Sequence, residues 1–112
     1  MAERISKINK LIKRHASDII LKELSFKEGV FLTVVKVDTT PDLRYARIFV
    51  SVYPEENTNY ALESLKKEIY KIQGEINKRL AMRPLPRVEF RLDTTESKAD
   101  IIEKILKEAK KN

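Results

Sequence analysis

Apolar residues near the amino terminus recur at intervals of three and four positions, the spacing that places side chains on one face of a helix. This pattern predicts a helix over residues 3–24. Its apolar face consists of Ile5, Ile8, Leu11, Ile12, Ala16, Ile19 and Ile20. The basic residues Lys7, Lys10, Lys13 and Arg14 lie mostly off that face. The following stretch SFKEGV, with Gly29 at the turn, ends the helix.

Three later segments have the composition of β-strands. Residues 30–38 and 44–53 predict an antiparallel hairpin joined by TTPDL, in which Pro41 and Asp42 favour a turn. In the second of these segments alternate residues share a face, with Ala46, Ile48, Val50 and Val52 on one side and Tyr45, Arg47, Phe49, Ser51 and Tyr53 on the other. The segment RVEFRLD, residues 87–93, predicts a third strand.

A second helical pattern lies between the hairpin and the third strand. It is formed by Leu62, Leu65, Ile69, Ile72, Ile76 and Leu80. The register passes through Gly74 without a slip, so it predicts that the helix continues across this glycine. The stretch RPLP ends the helix, because proline cannot continue it. A last helix with the stripe Ile101, Ile102, Ile105 and Leu106 is expected after DTTES, and residues 107–112 are expected to fray.

The predicted order of elements is α-β-β-α-β-α. Apolar stripes on the helices require a sheet face to cover them, so the order predicts a two-layer α+β domain with a three-stranded sheet and helices on one face. A length of 112 residues favours a single domain that comprises residues 1–112.

Composition narrows the classes of function. The chain has 23 Lys and Arg against 17 Asp and Glu, a net charge of +6, which favours a polyanionic partner such as nucleic acid over the alternative of solubility alone. There is no cysteine, which excludes disulfides and cysteine catalysis, and the single histidine, His15, cannot form a zinc site by itself. No signal peptide and no membrane-spanning apolar run is visible, so we expect a cytoplasmic protein without metal or cofactor.

Gly74 is unexpected, because a glycine inside a helix costs about 0.5–1 kcal/mol relative to alanine. At about 100° per residue it lies opposite the stripe that contains Ile72 and Ile76, facing solvent. Its neighbours on the helix surface are Tyr70, Lys71, Asn77 and Lys78, with Lys67 two turns earlier. A missing side chain lets a sugar–phosphate backbone come close to such a basic face. On pattern alone, contact with RNA or DNA and a kink on a solvated helix face are equal alternatives.

The basic charge is concentrated around this helix. Residues 66–91 contain eight basic residues against three acidic ones, a local excess of five, and residues 1–24 contain six against three. The basic residues of the first region are Lys66, Lys67, Lys71, Lys78, Arg79, Arg83, Arg87 and Arg91.

Several motifs together resemble the ribosome-binding factor A family. The stretch DLRYARIFVSV is similar to the family signature at Asp42, Leu43, Ala46, Ile48, Val50 and Ser51. The helix with its internal glycine and the following MRPLPRVEFRLD are similar to the second family block at Arg83, Pro86, Val88, Phe90 and Asp93. ESKADIIEKIL resembles the closing helix, so the resemblance covers nearly the whole chain.

The resemblance implies a type-II KH-like fold in which an Ala-X-Gly kink replaces the nucleotide-clamping GXXG loop of ordinary KH domains. Gly74 matches the glycine of that kink, Ile72 stands where the family usually has alanine, and Asn77 stands where it often has arginine. The implied function is binding of the small ribosomal subunit through its rRNA during late maturation, notably in the cold. The family implies no catalysis. We expect a protein that is monomeric when free, with no membrane or small-molecule ligand. The expected RNA-binding residues are Lys67, Lys71, Gly74, Asn77, Lys78, Arg79, Arg83, Lys10 and Arg14.

The sequence leaves two other classes of function open. A protein-interaction or dimerisation module would use Tyr45, Phe49 and Tyr53 as an exposed apolar patch, although partial cover by the first or last helix is the more frequent arrangement. An enzyme would use acids near strand ends, namely Asp38, Asp42 and Asp93. The sequence pairs these acids with no nucleophile, histidine base or phosphate-binding glycine loop, so we expect no enzymatic activity.

Overall fold

The computed structural model describes residues 2–82 and 85–94. The elements are α1 (Ala2–Glu23), β1 (Phe31–Thr39), β2 (Tyr45–Tyr53), a 3-10 turn (Glu55–Asn57), α2 (Thr58–Lys67), α3 (Ile69–Arg79) and β3 (Arg87–Leu92). The first helix and all three strands lie within one residue of their predicted bounds, which confirms those predictions. The expected last helix and frayed end at residues 107–112 lie outside the described residues.

The three strands form one mixed sheet in the order β1-β2-β3. β1 is antiparallel to β2, as the predicted hairpin requires, and β3 is parallel to β2. The pairing of β1 with β2 shifts by one residue between Val34 and Lys36, so Val35 forms a bulge. Because of this extra residue, Val34 and Val37 are both buried although they are three positions apart. The bulge explains why the apolar pattern of β1 does not alternate strictly.

The helices cover one face of the sheet, which confirms the predicted two-layer α+β arrangement. α1 packs against β1 and α3, while α2 contacts β2 and β3. The largest fully buried side chains come from both layers and are Ile12, Ile19, Ile48, Val50, Leu65, Ile72, Ile76 and Pro86. This apolar interface between the helical layer and the sheet is the core.

The loop between β1 and β2 is held by its own polar groups. The Thr40 hydroxyl donates to the Asp42 carboxylate at 2.6 Å, and this bond together with the Arg44 N–H holds the pKa of Asp42 below its ordinary value. Leu43 adopts a left-handed φ of 61°, and its side chain packs against the core. Asp42 therefore has a structural role in the turn, as its turn-forming tendency predicts.

The second helical segment differs from the prediction of one continuous helix with its kink at Gly74. The break lies at Glu68, whose φ of −99° and ψ of 11° separate α2 from α3. Gly74 lies inside α3, which is uninterrupted from Ile69 to Arg79. The predicted position of the kink was therefore wrong. Tertiary packing explains the break, because α2 covers β2 and β3 whereas α3 must pack beside α1.

The side chain of Gln73 ties α3 to the start of β3. Its Oε1 accepts a hydrogen bond from the N–H of Val88 at 2.8 Å, and its Nε2 donates to the carbonyl of Pro86 at 3.0 Å. The same Nε2 lies 2.9 Å from Oδ1 of Asn77, one turn further along α3. One side-chain amide thus satisfies two backbone groups of the strand and orients a second amide.

We expect Gln73→Leu to destabilise the fold by about 1–3 kcal/mol, because the buried N–H of Val88 loses its acceptor while the volume is nearly kept. Urea unfolding measures the loss, and amide hydrogen exchange at Val88 should accelerate selectively. Asn77→Ala is the matched control, since it removes a partner of Gln73 without affecting Val88. An unchanged exchange rate at Val88 in Gln73→Leu would contradict the bridging role.

Candidate nucleic-acid interface

Gly74 is half-buried and lies on the side of α3 opposite the buried Ile72 and Ile76. A Cβ built at Gly74 meets no atom within 4 Å, so the helix has no packing requirement for glycine here. The neighbouring Tyr70 is 90% exposed. The predicted solvent-facing position of Gly74 is therefore confirmed, and the missing side chain leaves a strip of accessible backbone.

Two lysines frame this strip, and each has an acidic neighbour. The Nζ of Lys71 lies 3.1 Å from the Glu23 carboxylate at the end of α1, and the Nζ of Lys78 lies 3.4 Å from Glu75. The hydrogen bond to Glu23 is the main cause that raises the pKa of Lys71 above its ordinary value. Exposed pairs of this kind contribute at most about 1 kcal/mol, so a phosphate group can replace the carboxylate.

A shorter ion pair joins α1 to α3 along their line of contact, which we call the seam. Nη1 of Arg79 lies 2.7 Å from Oδ2 of Asp18, which also accepts from Lys22 at 3.3 Å. The hydrogen bond from Arg79 is the main cause that lowers the pKa of Asp18. Partial burial, followed by the nearby charges of Arg14 and Arg79, lowers the pKa of His15. The seam thus brings cations of both helices into one electrostatic environment.

The remaining predicted RNA-binding residues lie on other elements than α3 or outside the described residues. Arg14 is exposed on α1 one turn before Asp18, and Lys10 is exposed one turn earlier still. Lys67 is the last residue of α2 and lies on the other side of the break at Glu68 from Gly74. Among the described residues none of these three forms an ion pair. Arg83 lies outside the described residues.

The sequence prediction omitted a groove beside the exposed face of α3. The groove has a volume of ≈ 530 Å³ and is lined by Ile69, Tyr70, Gln73, Asn77, Leu85, Arg87 and Val88. Since Oδ1 of Asn77 faces the Gln73 amide, the amino group of Asn77 is left to act as a donor. The spacing of Gln73 and Asn77 by four positions was the available signal, because it places two amides on one side of a helix.

Within residues 2–82 and 85–94, no group of three or more His, Cys, Asp or Glu residues is placed to hold a metal ion. Over the same residues, no helix combines the length and the apolar character needed to cross a bilayer.

We expect Gly74→Ala to stabilise the protein by about 0.5–1 kcal/mol, because the position is helical and the added methyl group meets open space. Urea unfolding provides the measurement. Gly29→Ala is the contrasting variant, since Gly29 has a φ of +85°, which strains an L-residue, and it should lose stability instead. A loss of stability in Gly74→Ala would contradict the helical geometry at this position.

Arg79→Met should raise the pKa of Asp18 towards its ordinary value, because the dominant hydrogen bond is removed. A carboxyl with a depressed pKa in the fold adds stability above its unfolded pKa and loses it as pH falls through the folded pKa. The acid dependence of stability below about pH 4 should therefore become shallower in this variant. NMR titration of the Asp18 carboxyl carbon measures the shift. Lys22→Met is the control, and a larger effect from it would refute the assigned cause.

Comparison with known proteins supports the implied family. A family model described as ribosome-binding factor A matches residues 4–106. A ribosome-binding factor A from Acetivibrio thermocellus is 38% identical over 108 residues, covering 95% of this chain and 88% of the relative. One from Natranaerobius thermophilus is 36% identical over 106 residues, covering 94% of this chain and 81% of the relative.

Solved structures give the same result. The crystal structure of ribosome-binding factor A from Thermus thermophilus matches with a TM-score of 0.69 and 25% identity, over 79% of this chain and 94% of that one. A homology model of the Thermus thermophilus factor, fitted into a cryo-EM map of its complex with the 30S subunit, matches with a TM-score of 0.62 and 26% identity, over 76% and 90%. These similarities confirm the KH-like α+β fold. Together with the family match over nearly the whole sequence, they show that this chain belongs to the ribosome-binding factor A family.

Proposed function

We propose that this protein is a non-catalytic, RNA-binding ribosome assembly factor. It binds the small ribosomal subunit through rRNA in the cytoplasm and assists late maturation of that subunit. The observation that carries the proposal is the open strip of backbone at Gly74, framed by Lys71 and Lys78 and adjoining Asn77. The Thermus thermophilus relative fitted into a map of a 30S complex supports the choice of the small subunit as partner.

The exposed face of α3 suits a sugar–phosphate backbone. With no side chain at Gly74, a strand can approach the helix surface closely, where Lys71 and Lys78 supply positive charge on one side. On the other side Asn77 and Tyr70 both line the groove, and the amino group of Asn77 is left to act as a donor. The two lysines can therefore bind phosphates. The planar amide of Asn77 and the ring of Tyr70 can contact the sugars and bases attached to those phosphates.

The acidic partners of Lys71 and Lys78 compete with RNA phosphates for these two lysines. Glu23 and Glu75 hold Lys71 and Lys78 through exposed ion pairs, so phosphate must displace these carboxylates as well as bound counterions. Such an interface gains most of its affinity from electrostatics and loses it steeply as salt rises. The pair between Arg79 and Asp18 is shorter, at 2.7 Å, so we assign it first to joining α1 with α3 and second to RNA contact.

Co-sedimentation with small ribosomal subunits at rising salt tests the proposal. Lys71→Glu combined with Lys78→Glu should abolish retention at salt concentrations where the parent protein is retained. Where residual binding is measurable, the slope of log affinity against log salt should fall by roughly one unit for each lysine. Gly74→Ala should keep its fold but bind more weakly, because the methyl group occupies the open strip.

The matched control is Lys27→Glu combined with Arg44→Glu, which makes the same change in net charge at exposed positions outside α3. This control should lose much less retention than the α3 double variant. Equal losses of retention in the two double variants would show that net charge alone governs binding, and they would contradict the assignment of the binding site to α3. Retention that ignores salt would reject phosphate contact altogether.

A further inference from the structure

The face of the sheet opposite the helices exposes aromatic side chains. On this face Tyr45 is 41% exposed, Tyr53 is 71% exposed and Phe31, directly opposite Tyr53 on β1, is 64% exposed. Phe49 is half-buried on the same face. All the described helices pack on the other side, so α1 does not cover this face, and the last helix, which is the other cover that the sequence favoured, lies outside the described residues.

Cations alternate with these rings. Phe49 pairs with Lys36 on β1 and with Arg91 on β3, so one row across the sheet reads cation, ring, cation. The Nζ of Lys36 lies 4.8 Å from the centroid of the Phe49 ring. In another row Tyr45 pairs with Arg87. Rings and positive groups are therefore direct neighbours, an arrangement that differs from a plain apolar patch.

The acids on this face are concentrated in one row. Asp38 and Glu89 lie on either side of Arg47, which offsets one of the two negative charges of that row. Glu89 also forms an ion pair with Arg91, in which Nη2 of Arg91 lies 3.5 Å from Oε2 of Glu89. Over these three rows the face carries the two acids and four cations, namely Lys36, Arg47, Arg87 and Arg91. The excess positive charge lies in the rows that contain Tyr45 and Phe49.

We propose that this face of the sheet is a second RNA-binding surface, which takes unpaired nucleotides by stacking their bases on Tyr45, Phe49 and Tyr53. Sheets with exposed aromatic rings bind single strands in this way, because every base offers a flat face and nearby cations attract the phosphates. Tyr45 and Phe49 are four residues apart on β2, roughly 14 Å, so they hold separate bases. The rings of this surface lie on the opposite face of the sheet from α3, although Arg87 also contributes to the lining of the groove beside α3.

The charge pattern favours RNA over a second copy of this chain. Two copies would bring the rows around Phe49 and Tyr45 together, and each copy has a net charge of +6. A nucleic-acid strand instead places phosphates beside Lys36, Arg87 and Arg91. We therefore treat self-association through this face as the competing outcome of the experiment.

The experiment is an NMR titration of the intact protein with an eight-nucleotide oligouridylate, repeated with the same strand annealed to its complement. Amide shifts should change along β2 and β3 with the single strand and not with the duplex, because paired bases cannot stack on a protein ring. Tyr45→Ala should weaken single-strand binding by about fivefold or more. Arg91→Gln provides a second variant, with little risk to folding since Arg91 is exposed, and should weaken binding and reduce its salt dependence.

Tyr70→Ala is the matched control, because it removes an exposed tyrosine of α3 and should leave the shifts on β2 unchanged. Shifts confined to α1 and α3 would overturn this inference while leaving the proposed function intact. Equal shifts with single strand and duplex would also reject it. Sedimentation equilibrium that shows a dimer abolished by Tyr45→Ala would assign the face to self-association instead.

Discussion

The structure depends on one buried interface between the helices and a three-stranded sheet. Four isoleucines of the helices pack there against Ile48 and Val50 of the central strand, and all six side chains are fully buried. The four are Ile12, Ile19, Ile72 and Ile76. Removing one such side chain typically costs 2–5 kcal/mol, a large share of the stability of a small domain. This interface occupies only the inner surface of each layer. The outer surfaces of α3 and of the sheet can therefore carry charged and aromatic side chains without reducing the apolar area that the core buries.

The sequence predicted the elements well because their patterns are local. The face of α1 and the alternation in β2 follow directly from side-chain direction, which fixes what is buried. It predicted neither the bulge at Val35 nor the break at Glu68, since both arise where a segment must meet different neighbours along its length. Periodicity correctly continued the helix across Gly74, because α3 packs as one unit beside α1, whereas the kink that the family resemblance implied at this glycine was misplaced.

The candidate site was predicted in part. Helical geometry correctly placed Gly74 towards solvent and beside Lys71 and Lys78. Periodicity cannot reveal which cations are neutralised, since the acids that meet Lys71 and Arg79 come from α1 through tertiary packing. The groove next to Asn77 was missed for the same reason, because it exists only where α3 meets β3.

The contact of Gln73 with β3 also bears on how the molecule stays apart from its neighbours. An edge strand presents unpaired backbone groups that invite another chain to extend the sheet. The carboxamide of Gln73 occupies the N–H of Val88 and the carbonyl of Pro86, just where such an added strand would begin to pair. The side chain of Gln73 therefore caps the exposed edge of β3 and disfavours edge-to-edge aggregation, while the outer face of α3 stays open to solvent.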